Sequence, residues 1–82
     1  MKIKIQVEGK KDVTPIIDIF EALETNKINL TTTKKLEEIS EVRNIKQQIR
    51  QEVEDAIGDK IHVEELVIFK SGTYVLKGII QK

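Results

Sequence analysis

Eighty-two residues make one small domain, and fourteen Lys and Arg balance fourteen Asp and Glu, which argues against a dedicated nucleic-acid binder with a strong basic excess. Hydrophobic residues are 39% and charged residues 34% of the chain, and no apolar run approaches the roughly 20 residues that span a bilayer, so the composition points to a globular protein of the cytoplasm. There is no cysteine, which excludes a disulfide staple and a thiolate metal site, and with only Phe20, Phe69 and Tyr74 aromatic the core must be Ile, Val and Leu.

From Met1 to Glu8, Ile3, Ile5 and Val7 alternate with Lys2, Lys4, Gln6 and Glu8. Period-two alternation predicts a strand with one wet face, not a signal peptide. Gly9 to Asp12 reads as a turn. The string Val7-Glu8-Gly9-Lys10-Lys11-Asp12 resembles the opening of the Toprim domain of topoisomerases, primases and maturation nucleases. In that family a strand ends in Glu-Gly, an Asp follows, and the resemblance implies a Glu working beside a metal. The family also holds Mg²⁺ with an Asp-x-Asp pair on a later strand, and this chain has no Asp-x-Asp. Glu8 alone offers too few oxygens for a hard cation, so the string is read as a solvated strand-to-helix turn.

Thr14 resembles an N-cap, with Pro15 at the first helical position and Asp18 in the first turn. Ile16, Ile17, Ile19, Phe20 and Leu23 then follow at helical spacing, predicting an amphipathic helix over 15–25 with Asn26 as its stop. Between Lys27 and Lys35, Ile28, Leu30 and Thr32 alternate, so this part is either an ordered connection or a short strand, and we read it as a connection.

A long helix is predicted from Lys34 to Ile57. Ile39, Val42, Ile45, Ile49, Val53, Ala56 and Ile57 fall in a sector of about 120°, Leu36 lies off that stripe, and Gly58 is a natural end. Arg43, Lys46 and Arg50 border the stripe and could contact phosphates or a partner's acids, although such groups more often solvate a flank. Ile39, Val42, Lys46, Ile49, Val53 and Ala56 also keep a heptad-like spacing, but three heptads need support from a sheet.

The segment Ile61 to Lys82 reads as a β-hairpin around a two-residue turn at Ser71-Gly72. That register places Val63, Val67, Phe69, Tyr74, Leu76 and Ile80 on one face, with Glu65 opposite Gly78. The other face gathers Leu66, Ile68, Val75 and Ile79 among Lys70 and Lys77. Gly78 within a strand marks a bulge or a close backbone approach. His62 is the only histidine and cannot alone complete a zinc site or a triad. Glu64 and Glu65 point to opposite faces and cannot act as a facing acid–base couple. No phosphate loop, nucleophile elbow or dinucleotide fingerprint is present.

Charge is unevenly spread: residues 1–35 carry seven Lys against five acids, 36–69 four bases against nine acids, and 70–82 three Lys and no acid. The expected architecture is a single α+β domain over 1–82, β-α-(loop or short strand)-α-β-β, with a small antiparallel or mixed sheet of three or four strands and two helices on one face. A hairpin apolar on both faces has more surface than this chain can cover, which points to an interface. The expected function is therefore non-enzymatic: a cytoplasmic accessory or regulatory protein that acts by protein–protein contact, most simply as a homodimer. No catalytic residue, metal, cofactor or small-molecule substrate is expected, and no membrane. The candidate interface is Leu66, Ile68, Val75, Ile79 and Lys77. The alternative is nucleic-acid binding through Lys2 and Lys4 on a basic sheet face, or an exposed Phe69/Tyr74 pair, or the Arg43/Lys46/Arg50 flank.

Overall fold

In a computed structural model, which describes residues 2–23, 27–31 and 34–81 apart from the side chains of Phe20, Ala22 and Leu23, the N-terminal alternation becomes strand β1 (Lys2–Lys10). Helix α1 (Thr14–Leu23), strand β2 (Lys27–Asn29), helices α2 (Lys34–Glu37) and α3 (Ser40–Ile57), and strands β3 (Ile61–Phe69) and β4 (Thr73–Gln81) follow. Among these residues the four strands form one antiparallel sheet in the order β1-β4-β3-β2, which with the helices gives an α+β arrangement. The short segment at Ile28 is thus a strand, pairing with Ile68, and not a bare connection. The expected end of α1 at Asn26, the alternating Thr32, and the side chains of Phe20 and Leu23 lie outside what is described.

One face of the sheet is closed by helices. Ile16 of α1, Leu36 of α2, and Val42, Ile45, Ile49 and Val53 of α3 join Ile28, Leu30, Ile61, Leu66, Ile68, Tyr74, Leu76 and Ile80 in one buried cluster. The apolar stripe of α3 therefore packs on its own sheet instead of forming a helix–helix seam.

The hairpin differs from its expected register by one residue. Ile68 pairs with Tyr74 and Leu66 with Leu76, so the loop is the three residues Lys70, Ser71 and Gly72. Gly72 donates its N–H to the Phe69 carbonyl at 2.9 Å and takes φ 89°, the left-handed third position usual in three-residue hairpin loops. A one-residue slip turns every side chain of β3 over. Leu66 and Ile68, expected in the interface, are 0% exposed core residues, whereas Val67 and Phe69 face outward. Phe69 and Tyr74 consequently lie on opposite faces and cannot form an exposed aromatic pair. The slip is undone further along by a bulge between Val63 and Glu65, which returns Val63 and Ile61 to the helix side opposite Gly78 and Ile80. Gly78 permits the bulge: a Cβ there would lie 2.5 Å from the His62 carbonyl oxygen. Glu65 accordingly faces Lys77, not Gly78.

The expected single helix over 34–57 is broken at Ile39, whose backbone is extended (φ −77°, ψ 125°). The Ile39 N–H turns back to the Leu36 carbonyl at 3.0 Å. The break rotates α2 relative to α3 and brings Leu36, which lay off the stripe of a continuous helix, into the core. An ion pair from Lys46 to Glu37 at 3.1 Å joins the two pieces. At the far end Glu54 closes the turn into β3. Its carbonyl accepts the Gly58 N–H at 2.7 Å, and its carboxylate accepts the Ile61 N–H at 3.0 Å. Glu54 is only 7% exposed, so this bond satisfies a charge held largely out of water.

The start of α1 is capped by Asp12, not by Thr14. The Asp12 carboxylate accepts both the Thr14 hydroxyl (2.6 Å) and the Thr14 N–H (3.0 Å). These two bonds, the hydroxyl first, hold the Asp12 carboxyl below the usual aspartate range. Asp18 lies beyond the first turn.

Candidate functional site: the open face and free edge of the sheet

Because directly paired residues in an antiparallel sheet share a face, the register fixes what the uncovered side presents. Across β1, β4, β3 and β2 it runs Glu8, Val75, Val67, Asn29 in one row and Gln6, Lys77, Glu65 in the next. Lys4, Ile79 and His62 form a third row, with Lys2 and Gln81 beyond it, while Lys10 and Thr73 lie at the opposite end near Phe69 and Lys27. The face is thus apolar at the hairpin end, where Val67 pairs with Val75 beside Phe69, and polar in the middle.

The polar part is a shallow groove of about 640 Å³ lined by Lys4, Gln6, Asn29, Glu64, Glu65 and Lys77, among others. Lysines and glutamates alternate here, and Lys77 stands directly opposite Glu65. Asn29 donates to Glu65 at 3.4 Å, and its carbonyl oxygen accepts the Thr31 hydroxyl (2.6 Å) and N–H (3.0 Å), so it is committed to ending β2. Charges of both signs are neighbours across the groove, which favours a surface of mixed polar contact over a pocket for a small anion or cation. Among the described residues no three His, Asp or Glu converge in a way that could hold a metal ion. Glu8 lies on the open face near Gln6 (3.5 Å), whereas Asp12 is spent on Thr14, so the two acids of the Toprim-like string do not meet.

The expected site residues are therefore redistributed. Val75, Ile79 and Lys77 share the open face with Lys2 and Lys4, while Leu66 and Ile68 do not. Arg43, Lys46 and Arg50 lie on α3: Lys46 is half-buried against Glu37, Arg50 donates to Gln47 at 3.3 Å, and Arg43 is exposed. Lys46 and Arg50 border a hollow with Ile61, His62 and Val63 at the opposite end of β3 from Phe69. Val67 was missed as a surface residue, and Phe69 was expected there only in the alternative that exposed it together with Tyr74, which is buried. The signal was the Lys70-Ser71-Gly72 triplet, whose third-position Gly marks a three-residue loop.

The edges form the second feature. β2 ends the sheet with three residues, but β1 ends it with nine, without proline or bulge. Its inner side is only partly roofed: Ile3 is 40% exposed, and Ile5 and Val7 are half-buried. Ile3 and Phe69 are the exposed large apolar residues among those described.

No family model matches the chain, and neither does any curated protein or solved structure. Among the described residues no helix is long and apolar enough to cross a membrane.

Proposed function

We propose that this is a non-enzymatic accessory or regulatory protein that acts through protein–protein contact, with a second copy of itself as the first partner. One observation carries the reading: the chain closes its core and still leaves apolar surface uncovered. Phe69 (37% exposed) and Ile3 (40%) protrude, and Val67, Val75 and Ile79 are roofed by no helix. Phe69, Val67 and Val75 adjoin at the hairpin end of the open face, while Ile3 stands apart at the β1 edge on the helix side, and uncovered apolar surface of this kind often marks an interface. The groove between Lys4, Glu65 and Lys77 supplies the polar rim that such surfaces carry. Sedimentation from low to high micromolar concentration, together with binding of a dye that reports exposed apolar patches, tests this. An assembly heavier than the 9.4 kDa chain is expected. A strict monomer that binds no dye refutes the reading.

A second reading, nucleic-acid binding, is favoured by lysines spread along the open face, with Lys2 and Lys4 at one end, Lys77 in the middle and Lys10 at the other end near Phe69. Glu8 and Glu65 on the same face weigh against it, as does the burial of Tyr74. Salt-sensitive binding to mixed single- and double-stranded oligonucleotides would support it, and the lack of binding at low ionic strength would remove it.

A further inference from the structure

We propose that β1 is the self-association site, and that two copies join edge to edge through a two-fold axis at Ile5 to make one continuous eight-stranded sheet. The proposal rests on the self-association reading above and names its site.

Hydrogen-bond parity shows which backbone groups of β1 are free for a neighbour. The Lys11 N–H donates to the Gly72 carbonyl at 2.8 Å, continuing the Lys10–Thr73 pairing towards the turn. Bonding positions alternate in an antiparallel ladder, so Gly9, Val7, Ile5 and Ile3 bond to β4. The other side of β4 agrees, since the Gln81 N–H donates to the Lys60 carbonyl at 3.0 Å, which turns Ile80, Gly78, Leu76 and Tyr74 towards β1. The N–H and C=O groups of Lys2, Lys4, Gln6, Glu8 and Lys10 therefore point out of the sheet edge, evenly spaced for another strand.

The sequence of β1 is complementary to itself when reversed. About Ile5, Lys2 meets Glu8 of the second copy, Lys4 meets Gln6, and Ile3 meets Val7. Like faces are matched, and opposite charges are paired at both ends of the contact. Centring one residue later pairs Lys4 with Glu8 but sets Lys2 against Lys10, so a like-charge contact offsets the attractive one, and a half-step register would set apolar against polar side chains.

Apolar shape completes the fit. Val7, Val53, Ala56, Ile57 and Tyr74, with Glu52, line a hollow of about 180 Å³ between the end of α3 and the sheet. The two-fold brings the protruding Ile3 of each copy beside Val7 of the other, at the border of that hollow. The contact is isologous, so each copy gives one such side chain and receives one.

Two kinds of variant test the site by sedimentation equilibrium on the whole 82-residue chain. Gln6→Pro removes an outward N–H while leaving the β1–β4 ladder intact, since edge strands tolerate proline there. Unchanged circular dichroism verifies the fold. By symmetry two inter-copy bonds are lost, and dimerisation should weaken on the order of a hundredfold. Lys2→Glu and Glu8→Lys should each weaken it about tenfold, and the double variant should restore it. A wild-type dimer with these responses supports the proposal. A dimer indifferent to Gln6→Pro but broken by Phe69→Lys would overturn the edge site while keeping self-association. Failure of the double variant to recover would overturn the register, and a wild-type monomer overturns the self-association reading itself.

Discussion

Replacing Leu66 and Val67 with alanine, one at a time, tests which way β3 faces. Leu66 is fully buried opposite Leu76, and its carbonyl accepts the Leu30 N–H at 3.0 Å. With the backbone held on both sides the site has little room to collapse. Leu66→Ala should therefore cost about 3–4 kcal/mol, within the usual 2–5 for a closed core. Val67 is half-buried on the open face. Its two lost methyl groups, at about 0.8 kcal/mol each if fully buried and discounted by half, give about 0.8 kcal/mol. A chain of this length has about 4–12 kcal/mol in total, so the first variant loses a large share and the second little.

Urea unfolding followed by far-ultraviolet circular dichroism reads both. With a slope of about 1 kcal/mol/M, the midpoint should fall by about 3 M for Leu66→Ala and by less than 1 M for Val67→Ala. Self-association adds concentration-dependent stability, so each curve is taken at two protein concentrations. If Val67→Ala is the costlier change at both, the hairpin turns in the two-residue register and the assignment of faces given above is wrong.

Glu54→Ala should cost about 2–3 kcal/mol, because the Ile61 N–H loses its acceptor in a buried turn, and Glu54→Gln should recover part of it through the amide oxygen; equal losses for the two would show that the bond is not what matters. Gly78→Ala should lower the melting temperature by about 5–15 °C, since the added carbon meets the backbone carbonyl of His62 and the bulge must shift to make room. An unchanged melting temperature would mean that the bulge is not held against Gly78. For Asp12, whose folded carboxyl titrates below its unfolded value, the capping contribution is fully present above the unfolded range and is lost as pH falls through the folded pKa. The NMR titration midpoint of Asp12 should lie below about 3.9 and move up in Thr14→Ala, the stronger of its two bonds having been removed; a midpoint unmoved by Thr14→Ala contradicts the assignment.

Much of the architecture was legible from local pattern. β1 announced itself by strict alternation, and α3 by its stripe of Val42, Ile45, Ile49 and Val53, all of them buried. β4 was also legible, because Thr73, Lys77 and Gln81 mark its wet side. β3 was not. Leu66, Val67, Ile68 and Phe69 are four apolar residues in succession, so alternation carries no phase there, and only the loop length could supply it. Reading two loop residues instead of three inverted the β3 residues of the candidate interface, while Val75, Lys77 and Ile79 of β4 keep the face expected of them. The break at Ile39 was equally silent, since the stretch from Leu36 to Glu41 has no Gly or Pro. What breaks the helix is tertiary: Leu36 reaches the core only if α2 turns away from the line of α3.

The three-residue loop and the bulge act together on the function proposed. Without the bulge between Val63 and Glu65, the inverted phase of Leu66 and Ile68 would persist along β3, and Ile61 and Val63 would face outward in line with Val67 and Phe69. The open face would then be apolar from end to end, a surface prone to indiscriminate association. With the bulge, the outward apolar residues of β3 are confined to the hairpin end, and Glu65 is set opposite Lys77 in the middle. The β1 edge lies at the other side of the sheet from β3, with β4 between them. Pairing of two β1 strands would thus use the edge and leave Phe69, Val67 and Val75 of both copies on the open face. An edge-joined dimer would present two such patches related by the two-fold, and so would be divalent for whatever further protein it contacts. That arrangement gains avidity from two weak contacts without enlarging either one.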